Sequence, residues 1–281
     1  MTHFRVLYIG QDPDADFAPF SEVDENTYRP VDRTKELRAD YKQYGKEYRK
    51  KGYKNMVEFA CHWFGEMLLL DKAVLNEPML KAKIARCNAN KDRYVLANGS
   101  RLIKVVDFYN PDCKYDYYSL EENITSKFDH KALIAEAEER RRDYHRKAVE
   151  VLGHIPKFTS FDEIADEEEK NGAEDRIEAY QRAGDRYHEQ PDVKALEDAD
   201  LYADETARCS EEEYVAKASL PFCAIVTDKG WFEQERTGWW GSSGPKQMTD
   251  EEWRALQMKV IEDALKDRDE FTEVWVCDCH I

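Results

Sequence analysis

Residues 224–281, AIVTDKGWFEQERTGWWGSSGPKQMTDEEWRALQMKVIEDALKDRDEFTEVWVCDCHI, constrain the fold most. They hold a hairpin, a capped helix and a closing strand in succession. Residues 222–226 and 231–234 are short apolar or aromatic runs around Asp228-Lys229-Gly230, a β-hairpin pattern. Thr249 with Glu252 three residues on reads as a capping box. Trp253, Leu256, Val260, Ile261, Ala264 and Leu265 then recur at helical spacing as one apolar stripe. Residues 271–279 alternate like a strand and lead into Cys277-Asp278-Cys279-His280. Between hairpin and helix lies Gly238-Trp239-Trp240-Gly241, whose indoles are expected to cover the sheet, given the area each ring buries.

The other end matches. Residues 4–9 form a β-rich run ended by Gly10, and 11–28 read as an irregular connection with Phe17, Pro19 and Phe20 as packing points. Helices are expected over 32–51, capped by Asp32 or Thr34 with Tyr41, Tyr44 and Tyr48 on one face, and over 56–70. Two strands, 94–96 and 102–108, flank the hairpin turn Asn98-Gly99. A long helix over 129–152 stops at Gly153, with Pro156 following. From 160 to 218 the chain is acidic, alanine-rich and helical in composition, divided by Gly172, Gly184 and Pro191. Its sparse apolar content predicts light packing, as an arm.

These elements predict an α+β fold: a small mixed or antiparallel sheet formed by the two chain ends, with a large mainly helical middle. The expected division is 1–30 with 219–281 as a β-rich core carrying the C-terminal helix, 31–128 as a helix–hairpin region, and 129–218 as an acidic helical arm.

Charge is distributed unevenly. Of the net −17, residues 160–213 hold −14, with 20 Asp or Glu against 6 Lys or Arg. Residues 33–54 reverse the balance, 9 basic to 3 acidic. Solvated helix faces would account for both runs; the sharper expectation is that the acidic segment meets a basic partner surface. Asp162, Glu163, Asp166, Glu167, Glu168, Glu169, Glu174 and Asp175 are the candidate contacts. Direct duplex binding is disfavoured, because phosphate neutralisation needs clustered cations. No run of eighteen apolar residues suggests a membrane span, and the first residues lack a signal-peptide pattern. Seven cysteines without a regular framework argue against a secreted disulfide scaffold, so a cytoplasmic location is expected.

No phosphate-binding loop, dinucleotide fingerprint, His-Glu-x-x-His helix or Gly-x-Ser-x-Gly elbow occurs. The expectation is no catalytic residue, no cofactor and no metal. Cys277-Asp278-Cys279-His280 is the strongest chemical candidate. Zinc there would need further ligands from residues such as His3, Cys209 or Cys223. A nucleophilic Cys279 would need His3 or His280 as its base. On a strand Cys277 and Cys279 share a face, so an oligomer contact or intersubunit disulfide is the favoured functional reading, against plain burial.

Four segments carry a resemblance: residues 2–10, Tyr109-Asn110-Pro111 with Lys114-Tyr115-Asp116-Tyr117-Tyr118, Gly238-Trp239-Trp240-Gly241, and Asp278-Cys279-His280-Ile281. Together they resemble a group of bacteriophage-encoded proteins. In that group a Gly-Gly-Arg-Trp segment often follows the tyrosine cluster; here Ser119-Leu120-Glu121-Glu122 stands instead. Length and the Cys277-x-Cys279 pair also resemble phage proteins that counter the Gabija defence system. That resemblance implies a non-enzymatic inhibitor in the host cytoplasm. It would be a homo-oligomer, tetrameric or higher, around the host nuclease–helicase complex, blocking DNA binding and cleavage. The rival expectation is a small phage enzyme or nucleotide-binding protein with a site around His3, Tyr115, Trp239, Trp240, Cys279 and His280.

Overall fold

The computed structural model describes residues 3–63, 65, 67–170, 176–237, 243–246, 248–266 and 268–280. The chain starts with strand β1 (His3–Gly10), whose last five residues are all buried, and a short helix α1 (Pro13–Phe17) capped by the Asp12 carboxylate. A run buried at consecutive positions is what a strand covered on both faces requires.

Next come β2 (Arg29–Asp32), α2 (Thr34–Lys50), α3 (Met56–Trp63), β3 (Leu68–Asp71), α4 (Glu77–Asn90), β4 (Tyr94–Asn98) and β5 (Arg101–Tyr109). Asp32 accepts the Thr34 amide at 3.0 Å, fixing the start of α2. Strands β2-β5-β4-β3 make one four-stranded sheet. Leu37, Val57, Phe59, Val95 and Val105 belong to one buried cluster of this unit; Leu80, Cys87, Tyr94, Val106 and Phe108 form another. The helix expected over 56–70 is corrected here. It ends at Trp63, Gly65 takes φ +87°, and Leu68-Leu69-Leu70 pairs in parallel with Tyr94-Val95-Leu96. An apolar run of this length fits a helix or a strand equally, and strand pairing decided it.

The chain then adds β6 (Tyr117–Asn123) and α5 (His130–Leu152), which Asp129 caps at one end and Gly153, at φ +73°, at the other. Helices α6 (Phe161–Lys170), α7 (Arg176–His188), α8 (Pro191–Asp198) and α9 (Glu211–Ala216) follow. The last elements are β7 (Ala224–Thr227), β8 (Gly230–Glu233), β9 (Glu235–Thr237), β10 (Ser243–Lys246), α10 (Asp250–Lys266) and β11 (Glu273–His280).

The chain ends meet in a five-stranded sheet, order β6-β11-β1-β7-β8. β1 lies antiparallel to β11 and parallel to β7, and β7 and β8 form the hairpin around Gly230. The fold is therefore α+β, with both termini in one mixed sheet. Alternation sorts the side chains. Leu7, Ile9, Ile225, Val274 and Val276 join Ile261 of α10 and Ile134 of α5 on one face. Val6, Tyr8, Ala224, Val226, Cys277 and Cys279 join Phe17 and Tyr115 on the other. The capping box of α10 is present: the Thr249 amide donates to Glu252 at 2.8 Å, and the Glu252 amide to Thr249 Oγ1 at 3.2 Å.

The region expected to pack only lightly has a core of its own. Ala148 of α5 meets Phe158, Ile164, Ala165, Ala183, Tyr187, Val193, Leu196 and Ala203. α5 thus runs from the sheet core to this helical core, a span of about 35 Å at 1.5 Å per residue. Among the described residues, no helix is long and apolar enough to cross a membrane.

Candidate functional site

Two regions bear on function, the acidic helices and the end of the large sheet. α6 is amphipathic. Ile164, Ala165 and Glu168 are buried, while Asp162, Glu163, Asp166, Glu167 and Glu169 face solvent. Glu174 and Asp175 lie outside the described residues.

The fold itself engages several of these carboxylates. Glu163 accepts the Ser160 amide at 2.9 Å and lies 3.5 Å from Arg208. Its capping bonds with Ser160 hold its carboxyl below the ordinary range. Arg186 bridges Glu167 at 3.0 Å and the buried Glu168. Glu168 is thus a packing residue, not a surface contact. Asp192 takes the Lys157 amide at 2.7 Å and His154 Nε2 at 3.0 Å. Asp162, Asp166, Asp185, Glu189 and Asp198 are exposed, and their carboxylates make no hydrogen bond or ion pair among the described residues. They are among the carboxylates that the fold leaves to solvent.

Cys277 and Cys279 share a strand face, as alternation requires, but that face is the interior one. Both are free thiols at 0% exposure. Burial pushes the Cys277 thiol up from 9.0 to about 12 and raises Cys279 too, where the neighbouring Cys277 adds to the effect. A subunit contact through either thiol would have to open this core, so the exposed placement that an intersubunit disulfide needs is absent. Ellman's reagent should therefore modify the exposed Cys223 in the native chain and reach Cys87, Cys277 and Cys279 only in denaturant. Peptide mass mapping checks this; fast native labelling of Cys277 or Cys279 would show that they are accessible.

His280 points to the opposite face from Cys279, so the tail cannot converge on one metal ion. Among the described residues no three His, Cys, Asp or Glu side chains are placed to hold one. Of the residues expected around a nucleotide or enzyme site, Tyr115 and Cys279 lie in the aromatic core. Trp239 and Trp240 fall outside the described residues.

His3 and His280 do come together. They are paired positions on β1 and β11, and Tyr117 is the partner of His280 on β6. The two imidazole centroids are 5.0 Å apart, and the Tyr117 ring stacks on His280 at 4.4 Å with a 16° interplanar angle. Each imidazole is held by a carboxylate. His280 Nδ1 lies 2.7 and 2.9 Å from the two oxygens of Asp116, and His3 Nδ1 lies 2.6 Å from Asp278. A carboxylate at Nδ1 fixes the N–H there and leaves Nε2 as the bare nitrogen. Asp116 is itself anchored, its amide donating to the His280 carbonyl at 2.9 Å. Residues 2–10, 114–118 and 278–281 thus supply the side chains that converge at this end of the sheet.

No protein-family model, no curated protein and no solved structure matches this chain.

Proposed function

We propose that the chain works by stoichiometric binding, docking the acidic helices α6–α8 on the basic, DNA-binding surface of a host defence nuclease–helicase complex of the Gabija type. The observation that carries this reading is the solvent-facing set Asp162, Asp166, Asp185, Glu189 and Asp198, whose carboxylates have no partner among the described residues, on helices that have their own core. A rigid platform matters, because charges already in place lose little conformational entropy on docking. The net −14 of residues 160–213 attracts a cationic groove and repels duplex DNA, so the partner rather than its nucleic acid is the target. The phage-type segments at the chain ends are consistent with an inhibitor active in the host cytoplasm. Assembly into a tetramer or larger ring would multiply the contacts.

Replacing Asp162, Asp166, Asp185 and Asp198 with Asn and Glu189 with Gln should weaken capture of the nuclease–helicase complex about tenfold or more at physiological salt. Binding by the natural chain should itself weaken as salt rises, since exposed charges are screened beyond about 8 Å at 0.15 M. Pull-down and DNA-cleavage protection read both effects. Undiminished protection by the neutralised variant would remove the electrostatic docking surface. Light scattering at matched concentrations reads the assembly state, and a monomer would remove the ring.

A further inference from the structure

The end of the large sheet carries a feature that docking through α6–α8 does not use. His280 is 4% exposed, and its Nε2 is buried with no hydrogen-bond partner among the described residues, while its Nδ1 is held by both oxygens of Asp116. A buried polar atom that forgoes its hydrogen bond is uncommon and costs the chain its desolvation. His130 Nε2 is also unpartnered, but no carboxylate holds its Nδ1 among the described residues. His280 differs because the rest of its ring is arranged: oriented by Asp116, stacked by Tyr117, and met edge-on by a second imidazole, His3, which Asp278 orients in turn.

We propose that this sheet face is an acid–base site in which His280 is the general base, Asp116 its positioning residue, and the water that attacks a small ester-type substrate the proton donor. The chemistry follows from the placement. With the Nδ1 proton committed to Asp116, Nε2 offers a lone pair, and a hydroxyl that donates to it becomes a better nucleophile. When the proton moves to Nε2, the Asp116 carboxylate stabilises the imidazolium. Glu22 is partly buried near Asp116, and burial, with the Asp116 charge, raises its carboxyl. Access comes past His3 and Tyr117, whose side chains are half exposed, with 53% exposure at His3 and 50% at Tyr117. Rotation of an exposed side chain such as His3 is fast. Asp116 and Asp278 make this face acceptor-rich and negative, so the favoured substrate is uncharged rather than a phosphate.

The probe is p-nitrophenyl acetate with the full chain. Water loses its proton to His280 Nε2 while its oxygen bonds to the acetyl carbon. The bond to the nitrophenyl oxygen then breaks, p-nitrophenolate leaves with the electron pair, and the proton passes from His280 to solvent. His280→Gln should lower the rate about a hundredfold, the usual scale of general base catalysis. Asp116→Asn should lower it about tenfold or more and shift the pH profile, because an amide can hold the ring in the wrong tautomer. The natural chain should hydrolyse the ester faster than buffer alone, with a normal solvent deuterium isotope effect. A His280→Gln rate equal to that of the natural chain, both folded by circular dichroism, would overturn the proposal. If that variant does not fold, the natural chain still decides, since a rate no faster than buffer, or one without the isotope effect, rejects the base.

Discussion

The stability of this chain should be level from about pH 6 to pH 8 and fall steeply from about pH 9 upward. Cys277 and Cys279 sit at 0% exposure on that face beside Tyr8 and Tyr115. Burial pushes the Cys277 thiol from 9.0 to about 12 and raises Cys279, so the folded chain resists ionising either. Burial also raises the phenols of Tyr8, Tyr115 and Tyr118 from 10.0, helped at Tyr8 and Tyr118 by hydrogen bonds to Asp16 and Asp14. The unfolded chain has no such resistance and releases its thiol protons near pH 9. The preference for folding conferred by each raised group is therefore complete below its unfolded pKa and lost as pH rises towards its folded one. Each thiol that ionises only in the unfolded state removes about 1.4 kcal/mol per pH unit, and two together exhaust a typical domain's margin within a few units. Urea midpoints from about pH 7 to pH 11 measure the slope. Replacing both cysteines with Ala should flatten its first part, between about pH 8 and pH 10, before the phenols contribute. An unchanged slope in the double variant would show that the thiols are not the groups responsible.

The same residues show what the sequence could and could not reveal. Hairpin and cap signals are local, and these were legible: Gly230 at φ +128° closes β7–β8, and Thr249 with Glu252 opens α10. Joining of the chain ends was also legible, because β1, β7 and β11 are apolar on both faces. β6 gave no such signal. Its sequence is Tyr-Tyr-Ser-Leu-Glu-Glu-Asn, nearly all exposed, and an edge strand paired on one side needs only a backbone partner. The helical core was missed for a different reason. Much of it is alanine, at 148, 165, 183 and 203, and small residues that let helices approach closely look like solvent-facing helix formers in a composition count. Nor could the His280–Asp116 pair be read, since 164 residues separate its members and only the register of β6 on β11 joins them.

Gln257→Ala should be among the most damaging single substitutions in the chain, costing about 3 kcal/mol. Spacing on α10 points to Leu256 and Val260 as core positions, yet both are only partly buried. The residues buried are Trp253, Gln257 and Ile261, one every four positions along a single line of the helix. Gln257 is 1% exposed and holds the main chain of Leu220 from both sides. Its Oε1 accepts the Leu220 amide at 2.9 Å, and its Nε2 donates to the Leu220 carbonyl at 3.4 Å. Leu220 precedes β7 and belongs to the same core cluster as Ile261, so this amide fixes the approach of the chain to the sheet. A primary amide suits the task because it carries a donor and an acceptor side by side. Alanine would leave the Leu220 amide buried and unpaired, take from the Leu220 carbonyl one of its two donors (the Phe222 amide, at 2.8 Å, remains) and open a cavity beside them. Gln257→Leu separates the two costs: it fills most of the space but makes neither hydrogen bond, so it should recover only part of the loss. Gln257→Glu should also be destabilising, since its second oxygen would face the Leu220 carbonyl. Urea unfolding of the three variants measures the series. A Leu variant as stable as the natural chain would assign the effect to packing alone and remove the Leu220 hydrogen bonds from the account of how α10 is held to the sheet.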